Sequence, residues 1–134
     1  MKRGLSPFWF GVVYFVVAYA SIPLATGSIA QVRGWRLAAW GLSAVNFAAH
    51  IGFEQRRLRS TPARTALYAA VAVAIGAFGL ALAAFVRAVV TGTGKPASLA
   101  LAMALWPIIT AVPAYGVALV AAAVMNRIPE GRTS

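Results

Sequence analysis

Residues 96–126 read PASLALAMALWPIITAVPAYGVALVAAAVMN, and none of them carries a charge. A helix crosses the hydrocarbon core of a bilayer with about 20 apolar residues. This stretch exceeds that requirement, so tilt or kinking is expected of it. Pro107 and Pro113 are the expected kink points, because each removes a backbone donor and crowds the preceding turn. Working outward, three more runs share the same character. Phe8 to Thr26 is uncharged and is opened by Ser6 and Pro7, a cap followed by proline at the first helical position. Trp35 to Phe53 has Arg36 at its mouth and His50 near its exit. The third run opens at Thr61-Pro62 in the same cap-then-proline manner and continues to about Val90.

The sequence therefore predicts an all-α protein: a single four-helix transmembrane domain over residues 1–134, with helices at about 8–26, 35–53, 62–90 and 96–126. Short connections at Gly27–Gly34, Glu54–Ser60 and Thr91–Lys95 give an up-down-up-down order. Helices are the expected spanning structure, since every backbone amide must find a partner without water. Lys2-Arg3, an apolar run and Ala18-Tyr19-Ala20 imitate a secretory signal. The run continues to Leu24 and three further segments follow, so it reads as the first transmembrane helix.

Composition agrees. Of 134 residues, 61% are hydrophobic and 10% charged, with a mean hydropathy of +0.80, whereas an ordinary soluble domain carries roughly 25% charged residues. Twelve Lys and Arg face only Glu54 and Glu130, for a net charge of +10. In a soluble chain that excess would suggest nucleic acid. Here the basic residues sit between apolar runs, as in membrane proteins, and no nucleic acid is expected. Lys2, Arg3, Arg56, Arg57, Arg59, Arg64, Arg127 and Arg132 fall on one side; Arg33, Arg36, Arg87 and Lys95 fall on the other. The excess of basic residues on the first side places both termini and the second connection in the cytoplasm, with a bacterial inner membrane as the expected location.

Catalytic options are few. The chain has no Cys, no Asp and one His, so it has no thiol nucleophile, no Ser-His-Asp triad and no three- or four-ligand zinc site. The segment Thr91-Gly92-Thr93-Gly94-Lys95-Pro96 resembles a phosphate loop only superficially. It lacks the earlier Gly, has Pro where Ser or Thr would bind magnesium, and follows no strand. No enzyme activity and no cofactor are expected. Haem at His50 would need a second axial ligand from Met103, Met125 or another subunit.

Four features are candidates for function. Asn46, His50 and Glu54 recur at i, i+4 and i+8 and share one face of the second helix. They form either a proton-responsive path, His being able to change charge near neutral pH, or ordinary interhelical hydrogen bonds. Arg56, Arg57, Arg59 and Arg64 are the densest charge in the chain; they either bind anionic lipid headgroups or are merely the topology signal. Ala72, Gly76, Gly79 and Ala83 make a small-residue stripe for close helix packing, within the chain or against a partner. Arg87 lies one turn from the outer end of the third helix, where it either snorkels to the surface or points inward. The first helix is aromatic: Trp9 suits an interface belt, as does Trp35 at the opposite face, while Tyr14 and Phe15 lie too deep for one and are expected to meet lipid or another protein.

In helix count and size the chain resembles the small multidrug exporters. Those depend on a membrane-embedded Glu in the first helix, and here that helix holds no acid, so the resemblance stops at architecture. The expected function is a non-catalytic accessory or scaffold subunit of a larger membrane complex, bound to anionic lipids and to other subunits or a second copy of itself. The alternative is a small oligomeric transporter or channel using the Asn46-His50-Glu54 face.

Overall fold

A computed structural model describes residues 6–24, 28–92 and 95–127. These residues are helical, with short turns between: α1 (Ser6–Leu24), α2 (Ile29–Gly52) followed directly by a π turn (Phe53–Arg57), α3 (Pro62–Thr91) and α4 (Pro96–Met125). Lys2, Arg3 and Arg132 of the charge division, and Gly27, Thr93 and Gly94 of the expected connections, lie outside the described residues.

Helix α2 begins at Ile29, well before the expected Trp35. Ser28 adopts an extended backbone and caps the helix. Its hydroxyl accepts from the Gln31 amide at 3.4 Å, and its own amide donates to Gln31 Oε1 at 3.0 Å. Two orphan donors are satisfied reciprocally, which offsets the cost of about 1 kcal/mol that Gly34 imposes inside a helix. The expected connection Gly27–Gly34 is therefore helical from Ile29 onward. At the other end α2 does not stop at Phe53: the Leu58 amide reaches back to the Phe53 carbonyl at 3.3 Å, the five-residue spacing of a π turn. Arg59 then reverses the chain with φ 48, a left-handed conformation uncommon outside glycine.

The opening of α3 is as expected. The Thr61 hydroxyl accepts from the Arg64 amide at 3.4 Å with Pro62 in the first turn. Gly92, at φ 64, closes the helix and returns its amide to Ala88. Helix α4 stays a single helix through Pro107 and Pro113. Between them the Thr110 hydroxyl donates back to the Trp106 carbonyl at 2.9 Å, a bond that tends to bend helices.

Helix α3 is the central element, with α4 and α1 packed against it. On the α1 side the stripe finds its partner. A Cβ at Gly76 would lie 2.7 Å from Tyr14 Cβ, one at Gly11 2.7 Å from Ile75 Cβ, and one at Gly79 2.7 Å from the Phe15 ring. Residue numbers rise together along both helices, so α1 and α3 run parallel. Ala72 is fully buried in the same contact and Ala83 is half-buried. The small-residue stripe is thus an internal seam. Tyr14 and Phe15, expected to meet lipid or another protein, cover it instead, because two backbones this close leave room for aromatic rings only beside the glycines.

On the other side Ala66, Ala69, Ala118 and Ala122 are fully buried with Ile51 in one cluster, flanked by Phe47, Leu119, Ala121 and Met125. This cluster joins the C-terminal part of α2, the start of α3 and the end of α4. Elsewhere α2 stands away from its neighbours: Trp40 is 78% exposed, Leu37 73% and Val45 67%. Among the described residues two helices, α3 and α4, are long and apolar enough to cross a membrane, and Pro7–Ala20 of α1 is apolar but shorter. Helix α2 carries Arg33, Arg36, Asn46 and His50 among its apolar residues, which dilutes the hydropathy that its length alone would suggest.

Candidate functional site, a buried polar cluster beside an arginine turn

The π turn determines what its side chains meet. By widening the helix for one turn it brings the consecutive residues Glu54 and Gln55 inward together, where a regular helix sends neighbours some 100° apart. Glu54 is fully buried, as are His50 and Thr65, and Gln55 is nearly so. His50 Nε2 lies 3.9 Å from Glu54 Oε1, within ion-pair reach and beyond hydrogen-bond range. The other carboxylate oxygen, Oε2, accepts from the Ser60 hydroxyl at 2.8 Å. The Ser60 amide also donates to the Glu54 carbonyl at 3.0 Å, so one residue of the reversal holds Glu54 by both backbone and side chain. Gln55 Nε2 donates to Thr65 Oγ1 at 2.6 Å and ties the π turn to the first turn of α3.

Helix α1 supplies the lid. The Phe10 ring stacks on His50 with centroids 4.2 Å apart and planes 7° apart, and Phe53 lies tilted against Phe10 at 6.2 Å. Asn46 Nδ2 donates to the Phe10 carbonyl at 3.3 Å. The face Asn46-His50-Glu54 is therefore brought together, and it faces the protein: Asn46 fixes α1, His50 lies under the Phe10 ring, and Glu54 is held by Ser60. The Ser60 proton is directed to Glu54 and not to His50, so the three groups do not form a relay that would activate a hydroxyl nucleophile. Among the described residues no three His, Cys, Asp or Glu side chains come together to hold a metal ion.

The arginines lie on the outside of the same turn. Arg56, Arg57, Arg59 and Arg64 are all exposed. Arg64 is engaged locally, with Nε donating to the Tyr68 hydroxyl at 3.2 Å and the guanidinium lying 5.5 Å from the ring centre. Arg87 is exposed near the far end of α3, so it does not point into the protein. No sequence motif marks Phe10, Gly11, Gln55, Ser60 or Thr65 for these roles. Ser60 and Thr65 sit in an otherwise ordinary loop-and-cap sequence, and only the fold reveals their partners.

Comparison with family models, with curated proteins and with solved structures finds no match to this chain.

Proposed function

We propose that the chain is an integral membrane protein whose four helices all span the bilayer, with both termini cytoplasmic, in a bacterial inner membrane. In that membrane it acts as a non-catalytic accessory or scaffold subunit of a larger assembly. The observation that carries the proposal is the contrast between the two ends of α2. Its C-terminal end is locked into the protein by Asn46, His50 and Ile51. Its remaining length presents Trp35, Leu37, Trp40, Leu42 and Val45 outward, and a Cβ at Gly34 or Gly41 would meet nothing within 4 Å.

Apolar exposure of this extent is foreign to a protein in water and natural in lipid. Lipid tails solvate such a face without penalty, so the specific hint is the pair of open glycines, which permit a second helix to approach closely. The occupant is another membrane subunit or a second copy of this chain. Native mass spectrometry after mild-detergent extraction tests this, together with Gly41→Leu. The expected result is a co-purifying chain that is lost in the variant while the monomer stays folded. A clean monomer at membrane-like concentration counts against it.

A second reading, a small oligomeric transporter or channel, is favoured by the burial of His50 beside Glu54, since ionisable groups at membrane depth are functional candidates. If His50→Ala abolished a pH-dependent flux in the folded protein, that reading would replace the first.

A further inference from the structure

The turn between α2 and α3 contains one acid and three arginines in the sequence FEQRRLRS, residues 53–60. In most surface turns such an acid would compensate its neighbours. Here Glu54 is fully buried, held by Ser60 at 2.8 Å and facing His50. Among the described residues no arginine or lysine lies within ion-pair distance of Glu54. Arg56, Arg57 and Arg59 are exposed on the opposite side of the turn and have no carboxylate partner there. The left-handed backbone at Arg59, φ 48, lets the chain reverse while the Ser60 amide and hydroxyl both stay on Glu54. Inward acid and outward arginines are thus two faces of one construction.

We infer that Arg56, Arg57 and Arg59 form a binding site for the phosphate headgroup of an anionic phospholipid, left without an acidic neighbour because Ser60 holds Glu54 inside the protein. The inference rests on the membrane reading above and names a partner for it. A guanidinium presents a planar fork of donors that matches phosphate, and basic residues beside a membrane surface each add about fivefold to anionic-lipid affinity. The α3 amino end contributes little, because Thr61 already caps the Arg64 amide and Arg64 is engaged with Tyr68.

The test uses the full chain in neutral detergent micelles, titrated with phosphatidylglycerol or phosphatidylcholine, with bound lipid counted by native mass spectrometry. Phosphatidylglycerol is expected to bind well ahead of phosphatidylcholine. The triple variant Arg56→Gln, Arg57→Gln, Arg59→Gln is expected to weaken it about 100-fold at low salt, and the corresponding triple Lys variant to recover most of the loss. Arg87→Gln with Lys95→Gln, at the other end, should leave binding unchanged.

Ser60→Ala frees Glu54 to reach the arginines, so it should weaken phosphatidylglycerol binding, and adding Glu54→Gln should restore it. Soluble glycerol phosphate at equal concentration should not compete; full competition would make the site one for free phosphate and overturn the lipid assignment. Equal binding of the two lipids, or no loss in the triple Gln variant, would overturn the site itself. Alkaline extraction of membranes separates the two failures. Release of the chain would sink the membrane reading, whereas retention without headgroup preference would sink this inference alone.

Discussion

At the scale of single residues, Glu54 shows how one side chain can hold a turn. A buried carboxylate is costly unless its oxygens are occupied, and only Oε2 takes a hydrogen bond, from Ser60, while Oε1 faces His50 at 3.9 Å. Glu54→Gln keeps the volume and an acceptor for Ser60, and it removes the need to bury a charge. It is therefore expected to change stability by less than about 1 kcal/mol. Glu54→Ala leaves a cavity and an unmatched Ser60 hydroxyl, and should cost about 3 kcal/mol. Thermal unfolding of the two variants in micelles, followed by tryptophan fluorescence, compares them. Equal losses would mean that the charge, rather than the shape and the acceptor, holds the turn.

Among the elements, the glycines divide by what surrounds them. Gly76 has Tyr14 Cβ where its own Cβ would be, so Gly76→Ala forces α1 and α3 apart and should destabilise by about 1–3 kcal/mol. Gly34→Ala and Gly41→Ala meet open space and should be neutral or add about 0.5–1 kcal/mol through helix propensity. Chemical unfolding of the three variants would reveal the split, and a similar cost at all three positions would contradict the packing described. The same contrast explains what could be read in advance. The stripe Ala72-Gly76-Gly79-Ala83 announces close approach, yet it is silent on which helix approaches. The ends of α3 and the start of α4 were legible because Thr61-Pro62, Gly92 and Pro96 act locally. The start of α2 was legible in principle, through the Ser28–Gln31 capping box, but Gly34 and the flanking arginines read more strongly as a connection. The π turn depends on Ser60 and Thr65 meeting Glu54 and Gln55 across the reversal, and no periodicity along α2 encodes it.

On the scale of the whole molecule, four crossings are proposed, and both their number and their direction are testable. Hydropathy alone favours α3 and α4. Length does not disqualify the others: the 19 residues of α1 and 24 of α2 extend about 28 and 36 Å against a hydrocarbon core of about 30 Å. The proposal of four crossings draws on α1 running parallel to the central α3 through Gly11, Gly76 and Gly79. Helix α2 returns antiparallel to α1, with Asn46 and His50 meeting Phe10. If α3 spans, α1 is held alongside it. Burial of Glu54 does not alter the charge comparison, because acidic residues contribute little to orientation. Arg56, Arg57, Arg59, Arg64 and Arg127 belong to the end where α2 stops, α3 starts and α4 stops, and that end is expected in the cytoplasm. The chain has no cysteine, so single cysteines at the exposed positions Ala30, Ala63 and Ala97 report each side without background. An impermeant thiol reagent applied from outside should label Ala30→Cys and Ala97→Cys, and should reach Ala63→Cys only after the membrane is opened. Labelling of Ala97→Cys alone would leave α3 and α4 as a spanning hairpin, with α1 and α2 not crossing. Labelling of Ala63→Cys alone would reverse the orientation, and the arginine turn would then face away from the cytoplasm.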